Sequence, residues 1–213
     1  MAVILCVGDS NTHGSRPMPD LNGAGRHGHA ARWPSVMAGV LGAGFEVVNE
    51  GQPGRTTVHD DPFAGPHRNG ITVLPALLES HKPLDMVILM LGTNDLKYCY
   101  NVGPFDIALC LERMVRLIQG FGAGVVGSPD IMVVAPPPIL EAGCLAEMFA
   151  GGAAKSQGLS AAIRTMTDRL GVGFFDGGAV IQASPLDGIH YDAEAQVALG
   201  LAMADAVRNH LES

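Results

Sequence analysis

The segment AVILCVGDSNTHG, residues 2–14, contains the transition that decides the fold of this chain. Its first half is a short apolar run without polar alternation, which is typical of a strand buried on both faces of a parallel sheet. Its second half is a polar turn bracketed by Gly8 and Gly14. A buried strand that ends in such a turn predicts an open α/β sheet, in which ligands bind beyond the carboxyl ends of the strands.

The same apolar pattern returns along the chain and alternates with amphipathic stretches. Strand-like segments lie at 2–8, 45–51, 85–92, 130–136 and 172–177. Stretches with the periodicity of helices lie at 33–43, 71–81, 104–121, 160–170 and 193–211. This alternation predicts a three-layer α/β/α sandwich with a mostly parallel, five-stranded, flavodoxin-like sheet. Because the 213 residues contain no linker-like segment, we expect one domain over residues 1–213.

Composition and charge exclude several classes of partner. Hydrophobic residues make up 47% of the chain and charged residues 16%, which is a globular composition. The net charge is −8 and no run of Lys or Arg occurs, so we expect neither nucleic acid nor an anionic membrane as the main partner. The N-terminal apolar run ends at Val7 with no basic residue before it, and no later run reaches spanning length. We therefore expect no signal peptide, no membrane span and a cytoplasmic location.

Two segments fit no predicted element. Residues 15–31 are polar and rich in glycine, and residues 136–156 begin with a proline run. Long loops in compact α/β domains often form functional rims or contact arms. The second segment carries several apolar side chains, which we expect to be exposed as a contact surface. They are Ile139, Leu140, Leu145, Met148 and Phe149.

Ser10 follows the first strand and permits three interpretations. A serine at a strand-to-helix turn can present its hydroxyl at the amino end of the helix, where backbone N–H groups stabilise negative charge. The same Asp9-Ser10 pair can simply cap the helix. The loop could also bind a phosphate, although neither G-x-x-x-x-G-K-[ST] nor G-x-G-x-x-G is present.

The segment PLDGIHYD, residues 185–192, places a carboxylate three residues before a histidine. Asp187 could accept a hydrogen bond from Nδ1 of His190, which would fix the tautomer and leave Nε2 free to take a proton. The alternative is a turn before the last helix, with Asp192 as the helix cap. Two other strand ends offer hydrogen-bond donors: the Asn94 side chain in GTND, and a backbone N–H at Gly54. Either could instead be an ordinary turn residue.

Taken in order, these blocks resemble a known family. GDSNTHG at 8–14, the glycine after the second strand, GTND at 92–95 and DGIH at 187–190 resemble the four blocks of the SGNH (GDSL-type) hydrolases, across nearly the whole chain. Within the family, the stretch from 60 to 95 and the FFD segment at 174–176 are most similar to the bacterial arylesterase and acyltransferase branch. Members of that branch also perform perhydrolysis.

The resemblance implies a serine esterase that acts on small acyl esters and needs no cofactor and no metal. Ser10 would be the nucleophile, His190 the general base and then the general acid, and Asp187 the carboxylate that orients the imidazole. The oxyanion hole would consist of the Ser10 N–H, the Gly54 N–H and the Asn94 side chain. Asp9 and Asp95 would brace their loops. The alternatives are a deacetylase of sugar or antibiotic esters with the same triad, and a non-catalytic phosphate- or nucleotide-binding domain.

Two positions depart from the branch that the chain resembles. Its members usually carry an apolar residue at the position of Asn11 and a tryptophan at the position of His13. A smaller, polar ring at His13 is expected to reshape the acyl pocket and to alter the balance between hydrolysis and acyl transfer. Members of the branch also assemble into oligomers whose subunits narrow the mouth of the site, so we expect a homo-oligomer.

Overall fold

The structure, a computed structural model, describes residues 1–23 and 25–211. Its sheet has five strands in the order β2-β1-β3-β4-β5, and every pairing between neighbours is parallel. The strands are β1 Ala2–Gly8, β2 Phe45–Gly51, β3 Met86–Met90, β4 Asp130–Ala135 and β5 Gly173–Asp176. This confirms the predicted sheet, which is wholly rather than mostly parallel in the described residues.

Helices cover both faces of the sheet, which confirms the three-layer architecture. They are α1 Ser10–His13, α2 Trp33–Leu41, α3 Gly70–His81, α4 Pro104–Phe121, α5 Gly152–Ser156, α6 Leu159–Leu170 and α7 Ala193–Leu211. Helices α2 and α7 pack together on one face, and α4 packs with α3 and α6 on the other. None of the helices in residues 1–23 and 25–211 has the length and hydropathy that a membrane span requires.

Strand β1 explains why both faces need a helix layer. Its side chains alternate: Ile4 and Cys6 join the core against α2 and α7, whereas Leu5 and Val7 join the core on the other face. All four side chains are fully buried. Burying a large aliphatic side chain contributes about 1.5–3 kcal/mol, so neither face tolerates exposure. The sheet is thereby fixed as a central layer, with its carboxyl edge as the open rim.

Element boundaries differ most where the predicted periodicity runs into a loop. β1, β2, α4 and α7 have the predicted bounds, whereas β3 to β5 are shorter than predicted. Apolar periodicity indicates neither α1 nor α5, because four or five residues are too few to give a periodic signal.

The prediction of an exposed apolar cluster in residues 136–156 is wrong for most of its members. Ile139, Leu145 and Phe149 are only 2%, 6% and 2% exposed and belong to the core on the α4 side. Leu140 and Met148 are each 45% exposed, as expected. The segment folds back on the domain through a 3₁₀ turn at Gly143–Leu145 and helix α5. This short local structure turns Ile139, Leu145 and Phe149 inward.

Candidate active site

Three loops meet at the carboxyl edge of the sheet because the strands that precede them are neighbours. β1 lies between β2 and β3, so the loops after these strands leave the sheet side by side. They carry Ser10, Gly54 and Asn94 respectively. The loop before α7 brings Asp187 and His190 to the same edge, where both contact the first loop.

Ser10 is the first residue of α1, and Asp9 caps that helix. The carboxylate of Asp9 accepts a hydrogen bond from the backbone N–H of Asn11 at 2.9 Å. The capping interpretation therefore applies to Asp9 and leaves the Ser10 hydroxyl available. Helix α7 stabilises this turn, since Nε2 of Gln196 donates to the Asn11 carbonyl at 2.9 Å.

The structure brings Ser10, His190 and Asp187 into one hydrogen-bonded line. Nε2 of His190 lies 3.1 Å from Oγ of Ser10, and Nδ1 lies 2.6 Å from Oδ2 of Asp187. All three residues are almost fully buried, with exposures of 5%, 6% and 0% for Ser10, His190 and Asp187. Because the carboxylate accepts the proton of Nδ1, Nε2 is left to accept the proton of the hydroxyl.

Asp187 is surrounded by donors. Its Oδ1 accepts from the backbone N–H groups of Ile189 and His190, each at 3.0 Å, and its Oδ2 accepts from the N–H of Met18 at 2.7 Å. Burial raises the pKa of this carboxyl, but the hydrogen bonds and the charge of His190 outweigh it and hold the pKa at about 2. Asp187 is thus both the turn residue and the partner of the imidazole, so the two interpretations of DGIH do not compete.

Two of the three expected oxyanion donors have free backbone N–H groups. Neither the Ser10 N–H nor the Gly54 N–H donates to another residue in the described part of the chain. Gly54 has φ of +77°, a left-handed conformation that favours glycine. An anion placed between these groups would therefore find donors that need not first give up another partner.

Asn94 differs from those two donors because its amide is already engaged. Nδ2 donates to the Arg55 carbonyl at 3.1 Å and to Oδ2 of Asp9 at 3.3 Å. Both partners are acceptors, so the amide orientation follows from the network. To reach an oxyanion, Nδ2 would have to share or release one of these bonds, and the longer one, to Asp9, is the weaker.

Asp9 is a buried carboxylate whose hydrogen bonds do not offset the effect of burial. It is 2% exposed, and burial raises its pKa to about 6 despite the hydrogen bond from Asn11 and the charge of His190. Asp95, fully buried at the end of the third loop, also has a raised pKa because of burial. It accepts from the N–H of Thr57 at 3.1 and 3.2 Å and from the Thr57 hydroxyl, which ties the second loop to the third.

Arg55 stabilises the loops of the site and is not a substrate-binding residue. Its Nη1 donates to the carbonyls of Gly8, at 2.9 Å, and Glu50, and its Nη2 donates to the Gln52 side chain at 3.1 Å. The side chain is 4% exposed. It thus joins the end of β1 to the end of β2 directly beneath the proposed hole.

The two positions expected to line the acyl pocket make contacts around the nucleophile turn. Asn11 is 1% exposed, and its Nδ2 donates to the Ile189 carbonyl at 3.1 Å, which joins the Ser10 turn to the His190 loop. His13 bonds through Nδ1 to Oγ of Ser15 at 3.1 Å. Burial, together with the nearby Arg26 and Arg32, lowers the pKa of His13. Neither residue belongs to the wall of the groove described next.

A groove of about 600 Å³ opens beside Gly54, the residue of the candidate site that lies in its wall. Most of the wall is apolar and comes from the loops after β2, β3 and β4 and from the segment around residue 21. Its apolar members include Leu21, Phe63, Tyr98, Cys144 and Met148. A second cavity of about 540 Å³, beside Arg16 and Glu194, contains none of the candidate catalytic residues. The first groove is therefore the candidate substrate site.

Two contacts at the site escaped the sequence analysis. The N–H of Met18 bonds to Asp187 across 169 positions of the chain, and a backbone donor in a polar loop leaves no sequence signal. The Arg68 guanidinium packs on Gly54, so that a Cβ at Gly54 would lie 2.5 Å from Nη1. Arg68 lies in the stretch from 60 to 95, where nothing in the sequence pattern distinguishes it from other surface residues.

Comparisons with known proteins identify the family and the fold. The model of the GDSL-like lipase/acylhydrolase family matches residues 6–198. The aryl esterase of M. smegmatis is 40% identical, with a TM-score of 0.93 over 98% of this chain and 99% of that one. Est24, a carbohydrate acetylesterase from Sinorhizobium meliloti, is 38% identical, with a TM-score of 0.92 over 98% of this chain and 99% of that one. The comparison with curated proteins found no match.

The family match covers most of the chain, and the similar structures cover nearly all of it. The fold and the enzyme class expected from the four sequence blocks are therefore confirmed. The chain belongs to the GDSL-like lipase/acylhydrolase family, has the SGNH hydrolase fold, and is a carboxylic ester hydrolase.

Proposed function

We propose that this chain hydrolyses small acyl esters through an acyl-enzyme on Ser10. The observation that carries the proposal is the line of contacts from Ser10 Oγ to His190 Nε2, at 3.1 Å, and from Nδ1 to Asp187, at 2.6 Å. A phosphate-binding loop has no need of a histidine oriented by a carboxylate beside its serine. The contacts therefore favour catalysis over the non-catalytic alternative.

The proposed reaction has two halves. Nε2 of His190 takes the Ser10 proton as Oγ attacks the ester carbonyl, and Asp187 stabilises the imidazolium that forms. The negative charge that develops on the carbonyl oxygen is accepted by the N–H groups of Ser10 and Gly54 and by Nδ2 of Asn94. His190 then gives its proton to the departing alkoxide. Water, activated by the same Nε2, attacks the acyl-enzyme and releases the acid.

Acyl transfer to alcohols or peroxide is a natural extension of this mechanism. The nucleophile that reaches the acyl-enzyme, water or an alcohol, determines which product forms. Ser10 and His190 are only 5% and 6% exposed. The adjoining groove is largely apolar, which favours an organic alcohol over water. We therefore propose transfer as a side activity that grows with the concentration of the alcohol.

A carbohydrate acetylesterase is the second candidate within the same chemistry. It is favoured by the similarity to Est24, at 38% identity, and to another carbohydrate acetylesterase family member from Sinorhizobium meliloti, at 40%. Both candidates use the same Ser10, His190 and Asp187 and differ only in the alcohol that leaves. A panel of aryl acetates and acetylated sugars, compared by kcat/KM, separates them.

The nucleophile is tested by labelling and by substitution. We expect a fluorophosphonate probe to label the wild-type protein once, at Ser10, and to leave Ser10→Ala unlabelled. Ester hydrolysis by Ser10→Ala should fall by several orders of magnitude while the circular dichroism spectrum is kept, because Ser10 lies on the rim of the sheet. A folded Ser10→Ala protein with wild-type activity would overturn the proposal.

We further propose that the chain forms a homo-oligomer through the mouth of the groove. Several apolar side chains there are solvent-exposed in the single chain, among them Phe63 at 87%, Tyr98 at 72% and Leu21 at 68%. Covering such residues is favourable in proportion to the apolar area removed from water. Light scattering should give a multiple of 22.1 kDa at micromolar concentration; the mass of one chain would refute this. A cytoplasmic location stays a prediction from the sequence.

A further inference from the structure

The groove beside Gly54 contains a cation that the fold does not use. Arg68 lies in the groove wall and is anchored by its backbone, since its carbonyl accepts from the N–H of Thr56 at 3.0 Å. Its side chain makes one hydrogen bond to a described residue, from Nε to Nε2 of His67 at 3.2 Å. Within residues 1–23 and 25–211, no carboxylate forms an ion pair with this guanidinium.

The other cations near the site are already engaged. Lys97 in the same wall forms an ion pair with Asp61, its Nζ lying 3.0 Å from Oδ2, and both side chains are largely buried. Asp61 also accepts from two backbone N–H groups, and its pKa is lowered to about 2 by these bonds and by Lys97, although burial acts in the opposite direction. The Arg55 guanidinium already donates to the backbone carbonyls of Gly8 and Glu50. Of the cations in the described part of this wall, Arg68 is thus the one whose guanidinium still has N–H groups available to a ligand.

The position of Arg68 links it to the reacting carbonyl. Its Nη1 would lie 2.5 Å from a Cβ at Gly54, so the guanidinium is packed directly on the residue whose N–H is proposed to face the oxyanion. Arg68 also lowers the pKa of Arg55, secondary to the effect of burial, so the two guanidinium groups feel each other's charge. An anion bound at Arg68 would relieve that repulsion.

We propose that Arg68 selects ester substrates that carry an anionic group close to the scissile bond. The proposal rests on the ester hydrolysis proposed above and names its substrate class. A planar guanidinium with unused N–H groups matches a carboxylate in a bidentate geometry. The carboxylate could belong to the acyl part or to the leaving alcohol, because both lie within reach of a side chain that covers Gly54.

The groove wall also contains a negative charge, which favours one orientation of an anionic substrate. Glu147, in the segment after β4, is exposed and forms no ion pair with a described residue. We therefore expect an anionic substrate to bind with its charge at Arg68, beside Gly54, because the Glu147 carboxylate in the same wall repels it.

Matched substrate pairs test this proposal on either side of the ester. The first pair carries the charge on the leaving group: 4-acetoxybenzoate against 4-acetoxybenzamide. The second pair carries it on the acyl group: 4-nitrophenyl hydrogen adipate against its methyl ester. The kcat/KM value for each ester is measured with wild-type protein, Arg68→Gln, Arg68→Lys and Arg113→Gln. The last variant removes one positive charge from an exposed position on α4 that is not part of the groove wall.

We expect Arg68→Gln to lower kcat/KM for the anionic member of one pair by about 10- to 100-fold, the range for a hydrogen bond to a charged group. The neutral member should change little, and its turnover shows that the variant is folded. Arg68→Lys should restore part of the selectivity, and Arg113→Gln should resemble wild type. The pair that responds identifies the side of the ester that Arg68 contacts.

Three results would overturn the proposal. They are an equal loss for charged and neutral members of both pairs, no loss for any ester, and a wild-type enzyme that hydrolyses the neutral esters but not the anionic ones. Failure of the proposed function itself looks different, because wild-type protein would then hydrolyse none of the four esters and would not react with the fluorophosphonate.

Discussion

Two carboxylates flank Ser10, and although both are almost without solvent exposure, their pKa values are shifted in opposite directions. Asp9 on the nucleophile turn is 2% exposed and has a pKa of about 6, whereas Asp187 on the histidine loop is 0% exposed and has a pKa of about 2. Asp187 accepts from three backbone N–H groups and from the imidazole. Asp9 accepts from one backbone N–H and, at 3.3 Å, from the Asn94 amide.

The difference teaches that the hydrogen-bond donors around a carboxylate, together with the depth of its burial, set its pKa at this site. Burial raises both pKa values, but only at Asp187 do the hydrogen bonds exceed that effect. Asp187 is therefore ionised at every pH at which His190 could need a counter-charge. Asp9 lies close to protonation under mildly acidic conditions, which suits a loop brace better than a catalytic anion.

The largest expected effect separates the two carboxylates by rate. Asp187→Asn should lower kcat/KM by about 10⁴-fold, because an amide in place of the carboxylate favours the wrong tautomer of His190 and cannot stabilise the imidazolium. Asp9→Asn is the matched control, since it removes the same charge on the other side of Ser10. It should lower kcat/KM much less, because Asp9 contacts neither Ser10 Oγ nor the imidazole by a hydrogen bond.

Equal losses in the two variants would break the comparison. They would mean that both carboxylates act on the chemistry, or that both substitutions act by unfolding the protein. Circular dichroism and fluorophosphonate labelling of each variant distinguish these cases, since an intact Ser10–His190 contact is needed for rapid labelling.

The second effect concerns the amide that Asp9 holds. If Asn94 donates to the oxyanion, Asn94→Ala should lower kcat by about 10²–10³-fold with little change in KM, because the bond is stronger in the transition state than in the substrate complex. The value must be expressed per active site, titrated with the fluorophosphonate. A normal kcat per titrated site would remove Asn94 from the mechanism and leave the hole to the N–H groups of Ser10 and Gly54.

Much of the site could be predicted from the sequence because its parts are local. Ser10 follows a buried strand, and Asp187 and His190 are three residues apart, so strand position and spacing suffice to mark each as a candidate, whereas the contact between Ser10 and His190 is implied only by the resemblance to the SGNH hydrolases. The all-parallel sheet follows from strands that are apolar on both faces. These inferences need no knowledge of distant contacts.

The parts that could not be predicted depend on contacts between distant loops. The third backbone donor to Asp187 comes from Met18, in a segment without periodicity, and the opposite pKa shifts of Asp9 and Asp187 follow from such donors. The burial of Ile139 and Phe149 likewise depends on how a short helix folds their segment back. Composition and periodicity carry no information on either.

The pH dependence of stability sharpens the comparison without any substrate. The pKa of Asp9 is raised in the folded state from 3.8 to about 6, so its contribution to stability is present below about pH 4 and is lost as the pH rises through 6. The shift corresponds to about 3 kcal/mol at most. The free energy of unfolding in urea, taken as wild type minus Asp9→Asn, should therefore fall between pH 4 and pH 7. A difference that is constant over this range would mean that burial does not raise the pKa of Asp9.

The smallest effect is the opposite slope at Asp187. Its pKa is lowered in the folded state from 3.8 to about 2, so its contribution is fully present above about pH 5 and is lost as the pH falls from 4 through 2. The shift corresponds to about 2 kcal/mol. The unfolding free energy of wild type minus that of Asp187→Asn should thus be level from pH 5 to pH 7 and decline below pH 4, where the Asp9→Asn difference has already levelled. The contrary result is that the Asp9→Asn and Asp187→Asn differences in unfolding free energy change over the same pH interval. The donors from Met18, Ile189 and His190 would then not set the charge of Asp187, and the contrast between the two loops would be lost.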